Sequence, residues 1–373
     1  MTLKPAFTLL LCLGSLPVAQ AATLPDRLER PSQITTLADQ ALLTDMQSVG
    51  DHQVMVGAAG HILLRDSRGQ LQQAKVPVDL LLTALHFVDD KLGWAVGHDG
   101  VILHTRDGGL TWNKQLDGRS INPLLLKVAQ EQADHLQQAA DAAPDDEKLA
   151  TDLDNALFAL DDAQAATTSG PSRPLLGVWF SNAQHGWAVG AYGIFLSTGD
   201  GGESWQVVNN LDNPDRLHLN AVIGLRDGAL IIAGEGGRLY RSVDNGAHWD
   251  QTQQPTDASL YTLTQLRNGD VLAAGFGGTL LTSSDSGVSW LPVDLPLKVS
   301  LYGIKQLDDG GVILAGQGGV LLHSTNGKTF LPWRAPSKAA LLNVSQTRAG
   351  QLLLIGAAGL QVLPSSPFKE PAL

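Results

Sequence analysis

Residues 93–112, GWAVGHDGVILHTRDGGLTW, gather two histidines, two aspartates and five glycines in a short span. An imidazole beside a carboxylate can move protons, and a glycine run can turn backbone amides toward a phosphate. Asp99 also has a counterpart in Glu235, and two such carboxylates could serve glycoside hydrolysis. A catalytic group, however, is needed once. The question is whether the stretch is unique or one copy of a structural unit.

It is one of seven copies. A glycine closes an apolar run at Gly57, Gly97, Gly190, Gly234, Gly275, Gly316 and Gly356, at intervals of 40, 93, 44, 41, 41 and 40 residues. Three positions later each is followed by another: Gly60, Gly100, Gly193, Gly237, Gly278, Gly319 and Gly359. Each copy reads as an alternating run, a turn, a second apolar run, G-x-x-G, a third run, then a glycine-rich turn and a fourth. Four short strands in about forty residues make a propeller blade. The expected fold class is all-β, a seven-bladed β-propeller of four-stranded blades over 32–366. The last copy shows three strands before Pro364 and Pro367, leaving 367–373 as a tail. Residues 32–38, containing Ile34-Thr35-Thr36-Leu37, read as an N-terminal strand that closes blade 7 and hides open strand edges.

The turn after the third strand keeps Ser/Thr-x-Asp-x-Gly-x-x-Trp in four copies, with Asp107 and Trp112, Asp200 and Trp205, Asp244 and Trp249, and Asp285 and Trp290. This is the Asp-box of neuraminidase-type repeats. Its aspartate can accept turn amides, its glycine permits positive φ, and its tryptophan buries a large ring between blades. Four copies at blade period mark these residues as structural. In the sixth copy the turn is degenerate, with Asn326 and Phe330, and the first has no aromatic.

Composition bounds the function. The net charge of −12 argues against nucleic acid or an anionic membrane surface as partner. Lys4, the apolar run 6–18 and Ala19-Gln20-Ala21 read as a signal peptide over 1–21, and the only cysteine, Cys12, falls inside it. The expected product is a soluble, monomeric periplasmic protein with no disulfide. No metal-ligand spacing appears, and no cofactor or metal is expected.

Function should lie where the copies differ. The middles of the G-x-x-G turns differ, and strand order puts all of them at one mouth of the ring. His98, Asp99, Tyr192, Glu235, Phe276 and Gln317 are the expected ligand- or partner-facing residues; the bland alternative is seven solvated turns. The long interval holds an insertion over 119–174. Helical spacing in 121–140 and again in 149–160, with a break at 143–147, reads as a helical hairpin between blades 2 and 3, with Pro144 at a helix start and a linker over 167–174. Ten acidic and two basic residues between Ser120 and Gly170 give it −8 of the −12. It opens on the same mouth, as a docking element or lid.

The copies at 82–112 and 176–205 (LLGVWFSNAQHGWAVGAYGIFLSTGDGGESW) resemble the photosystem II stability/assembly factor family, exported seven-bladed propellers. The resemblance runs over about 35–365 apart from the insertion. It implies a chaperone-like role toward newly made membrane-protein subunits. The family's basic, arginine-bearing surface has no counterpart here, and the acidic hairpin is a departure. The expectation is a relative in a non-photosynthetic bacterial envelope: a non-catalytic assembly or accessory factor for a membrane complex or transporter. The alternatives are an Asp-box, sialidase-like glycoside hydrolase and a propeller that binds glycans or small ligands at the Tyr192/Phe276/Glu235 mouth. The arginine triad expected of a sialidase is not evident among the fourteen scattered arginines.

Overall fold

The computed structural model describes residues 25–363 and Phe368. The signal peptide expected over 1–21 lies outside the described residues, as does the tail apart from Phe368. Seven antiparallel sheets follow one another, spanning 43–73, 82–116, 175–207, 219–251, 260–292, 301–334 and 341–363. Six are four-stranded, and the seventh has three strands among the described residues. The seven-bladed ring is the architecture expected.

The repeat's grammar explains the strands. The second strand of blades 2 to 7, such as Gly93–Gly97 or Val312–Gly316, is buried throughout, and that of blade 1 is buried after His52, so each reads as a continuous apolar run. Innermost strands are only partly buried, and their apolar positions meet the neighbouring blade. The core consists of clusters between blades rather than one centre; one joins Trp94, Val96 and Ile102 of blade 2 to Phe180, Leu196 and Trp205 of blade 3.

The first glycine of G-x-x-G has a steric cause. A Cβ on Gly275 would stand 2.0 Å from the Ser259 carbonyl oxygen, and one on Gly57 would stand 2.1 Å from that of Leu42. That carbonyl, just before the blade's own inner strand, also accepts the next amide, as in Phe276 N to Ser259 O at 2.8 Å. Any side chain would pry the second strand from the first.

Ring closure differs from the sequence expectation. Residues 32–38 form no strand and do not pair with blade 7. Gln73 of blade 1 holds this segment instead, donating to Gln33 O at 2.8 Å and accepting from Thr35 N at 3.0 Å, while Ser32 N donates to Val76 O. The segment ends in a short turn, Ala38–Gln40, that packs on the last strand of blade 7. A Cβ on Gly359 would meet Asp39 O at 2.0 Å, as one on Gly60 would meet Val78 O at 2.1 Å. The N-terminal segment thus takes the place of the connector that runs from each blade to the next.

Side chains carry the closure itself. Asp45 of blade 1 accepts from Asn343 Nδ2 of blade 7 at 2.6 Å and from Leu85 N of blade 2 at 2.9 Å. Burial pushes its carboxyl pKa up, against the pull of these donors. Arg348 adds a bond to Gly50 O at 3.0 Å. Phe368 stacks on His323 of blade 6 at 4.4 Å.

The insertion is a hairpin of α1 (Gly118–Ala142) and α2 (Glu147–Ser169). Asp117 caps α1 through Arg119 N. Asp146, rather than Pro144, caps α2 by accepting from Lys148 N and Leu149 N, because a carboxylate can satisfy orphan amides and proline can only permit the turn. The expected linker at 167–174 begins inside α2, which continues to Ser169.

Two imidazoles, half-buried His86 and buried His104, predict an acid-sensitive ring. His86 Nδ1 accepts from Phe180 N of blade 3 at 3.2 Å, and burial holds its pKa down at about 3. His104 is held at about 4 by burial and by the nearby Arg106. Unfolded, both take up protons near 6.5. Their contribution is complete above that pH and shrinks as pH falls toward 4 and 3. Urea midpoints should decline over this window, and His86→Asn, which keeps an acceptor without the basic nitrogen, should flatten the decline. An unchanged slope would remove His86 from the account.

Candidate functional site

Each Asp-box aspartate bonds within its own turn. Asp107 Oδ1 accepts from the Thr105 hydroxyl at 2.8 Å and Thr111 N at 2.9 Å, and Oδ2 accepts from the Thr111 hydroxyl at 2.6 Å. Asp200, Asp244 and Asp285 repeat the set, with His248 replacing the hydroxyl in blade 4. These donors hold the last three carboxyls down at about 2 and lower that of Asp107. The aromatic edges then lock: Trp112 meets Phe87 and Trp205 meets Phe180, both nearly perpendicular. Trp249 does the same with Phe195, while Trp290 is buried in the cluster between blades 4 and 5. Each aspartate's acceptor capacity is spent on its own turn.

The G-x-x-G turns of blades 1 to 6 are single 3-10 turns, and each touches the inner strand of the following blade, which places them at one mouth. His98 is exposed. Asp99 is half-buried beneath the hairpin, its carbonyl packed so closely on Gly118 that a Cβ there would come within 2.8 Å; desolvation raises its carboxyl pKa. Tyr192 and Glu235 are brought together through a residue that sequence reasoning missed, His218. Tyr192 N donates to His218 Nδ1 at 3.4 Å with the rings 5.1 Å apart, and Glu235 Oε2 accepts from His218 N at 3.1 Å. Arg173 stands 5.5 Å over the Tyr192 ring. Phe276 is 59% exposed on blade 5, and Gln317 follows on blade 6; neither is bonded to this chain of contacts.

A second ring of residues lies nearer the channel. Every inner strand has a bulge after its first residue, at Thr44, Thr83, Leu176, Asn220, Tyr261, Tyr302 and Leu342. Thr44, Thr83 and Asn220 use this position to bond the next blade, donating to Leu82 O, Leu175 O and Leu260 O at 2.6–2.8 Å. Tyr261 and Tyr302 depart from that pattern and stack on each other at 5.7 Å. The signal was present in the sequence, since this position also varies between copies, but its inward placement depends on the bulge.

Tyr192 adopts φ 57°, in the left-handed region, as do Ala59 and Asp99 at the same turn position, where blades 4, 5 and 6 have Gly236, Gly277 and Gly318; it is the bulkiest of the three. A bulky side chain there costs about 1 kcal/mol. Tyr192→Gly should therefore raise stability by roughly 0.5–1 kcal/mol in urea unfolding while removing the exposed ring. A loss of stability would show that the ring supports the fold.

Among the described residues no cluster of side chains is placed to hold a metal, and no helix is long and apolar enough to cross a membrane. The arginines at the opposite end, Arg226, Arg267 and Arg348, each bond carbonyls of the next blade.

Ring, repeated turns and buried second strands define a seven-bladed, BNR-type β-propeller. Residues 167–260, which span blades 3 and 4, match the family model described as Photosynthesis system II assembly factor YCF48. Among solved structures, "YCF48 bound to D1 peptide" superposes with a TM-score of 0.60 at 17% identity, covering 92% of this chain and 98% of that one. YCF48 from Cyanidioschyzon merolae gives 0.58 at 16%, covering 89% and 97%. The WD40 propeller of Doa1 gives 0.59 at 9%, covering 91% and 97%, so these superpositions speak to the fold alone. No curated protein sequence matches the chain.

Proposed function

We propose that this protein is a non-catalytic, exported assembly or stability factor that holds a subunit of an envelope membrane complex on its hairpin-bearing mouth. The observation that carries the reading is the single unrepeated element, the hairpin, standing over the mouth beside the exposed Tyr192–His218–Glu235 chain. The Asp-boxes, which invite an enzymatic reading, have their acceptors engaged within their own turns. The YCF48 structure with a D1 peptide is a protein-binding relative of the same fold, which supports peptide recognition here. Capture of a partner from the envelope by the intact chain, and its loss without the hairpin, tests this role. N-terminal sequencing of the periplasmic fraction should start at Ala22. Aryl glycoside turnover that disappears in Glu235→Gln would overturn the non-enzymatic reading in favour of hydrolysis.

A further inference from the structure

The hairpin presents two unlike sides. Toward blade 3 it lines a cleft of about 520 Å³ with Leu125, Val128 and Leu136 of α1 and Ala156, Ala159 and Ala163 of α2. The cations bordering that cleft are engaged, Lys148 with Asp152 and both Arg173 and Arg216 with Asp162. On α2 the side turned away carries Glu147, Asp154, Leu157, Phe158 and Asp161, all exposed. These positions recur at three, four and seven residues, so they share one face, roughly half a helical turn from the alanines.

Phe158 is 72% exposed, more than any other large apolar side chain among the described residues, and Leu157 beside it is 44% exposed. An isolated apolar side chain on a surface is ordinary. Here the surroundings are charged. Asp154 lies one turn before Phe158 and Asp161 one turn after, and neither has a cation partner among the described residues. The hairpin cannot supply one. Its only cations between Ser120 and Gly170, Lys127 and Lys148, are paired with Glu131 at 3.9 Å and Asp152 at 2.6 Å. The face therefore combines an uncovered apolar anchor with uncompensated negative charge. That sign opposes an anionic lipid surface and a second copy of the same face, since each would bring like charges together.

We propose that this outer face of α2 docks a lysine- or arginine-bearing helix of the protein partner. Glu147, Asp154 and Asp161 recur every seven residues, about 10 Å along the helix axis. A neighbouring helix repeats its own side chains at the same distance, so cations seven apart meet successive acids. A leucine or aromatic midway between them covers Phe158 and Leu157. The proposal rests on the docking role above; it gives the partner a chemistry and the hairpin its contact face.

Two helical peptides of about 18 residues carry the same leucines and differ in having lysine or glutamate at the flanking positions. Binding to the full mature chain is read by fluorescence anisotropy. The lysine peptide should bind saturably and the glutamate peptide at least about tenfold more weakly. Leu157→Ser with Phe158→Ser removes the anchor from an exposed face. It should weaken the lysine peptide about tenfold or more without changing circular dichroism. Asp154→Asn with Asp161→Asn should also weaken it and reduce its salt dependence. Equal binding of the two peptides overturns the proposal, as does unchanged binding to either double variant. If envelope capture requires the hairpin but survives Leu157→Ser with Phe158→Ser, the docking role stands and this face falls. If the intact chain captures nothing, the docking role falls and the peptide pair still decides the face.

Discussion

Trp94→Ala is expected to destabilise the ring by about 3–5 kcal/mol, the range for removing a fully buried aromatic. Trp94 has no solvent exposure, and its ring lies on Phe180 of blade 3 with centroids 3.5 Å apart and planes 6° from parallel. His104 stacks on it at 4.8 Å, and Nε1 donates to Gly201 O of the blade 3 turn at 3.3 Å. The substitution therefore opens a cavity at a seam between blades, where side-chain packing and a few side-chain-to-backbone hydrogen bonds, rather than strand pairing, join the two sheets. The loss would appear as a lower urea midpoint by circular dichroism. Trp94→Phe keeps a ring on Phe180 and should cost less, roughly 1–2 kcal/mol. A loss below about 1 kcal/mol for the alanine variant would mean that the seam closes over the gap.

Excising the hairpin should have the opposite profile, with a stable ring and lost partner capture. Asp117 and Pro171 flank the element, and Gly118 already packs on Pro171, so a short Gly-Ser link can replace the helices without moving either blade. Most α1 and α2 contacts are to each other; apart from Ile121, buried in the cluster between blades 2 and 3 and so kept on the ring side of the link, only a few reach the blade 3 edge and the His98–Gly100 turn. The unfolding midpoint should stay near that of the intact chain, while envelope capture should fall by about two orders of magnitude if the hairpin carries the anchoring contacts. Collapse of the ring would assign the hairpin a structural role. Retained capture would place the docking surface elsewhere, and Tyr192→Ser with Glu235→Gln would then report whether the exposed mouth suffices.

Much of the fold was legible because the repeat states one local rule seven times. The glycine of each second strand, the Asp-box and its tryptophan each solve a problem inside one blade, so spacing alone revealed them. The helical hairpin was legible for the same reason, with periodicity and caps both within its own segment. The closing strand was not. Ile34-Thr35-Thr36-Leu37 has a strand-like pattern, but blade 1 supplies Gln73 and Val76 as partners for that stretch, and local pattern carries no information about which edge wins.

The candidate site divides along the same line. Tyr192 and Glu235 were visible as unrepeated residues, whereas His218 lies on a connector without a motif and joins them only because blade 4 presents it there. Tyr261 and Tyr302 needed the bulge to place them near the channel. By itself the sequence determined the blade, the number of blades and the acidic insertion, because each is encoded in neighbouring residues. Only the tertiary structure decided how the ring closes, which mouth residues meet and that a cleft opens beside blade 3. Those features depend on contacts between residues tens to hundreds of positions apart, as with Asp45 and Asn343.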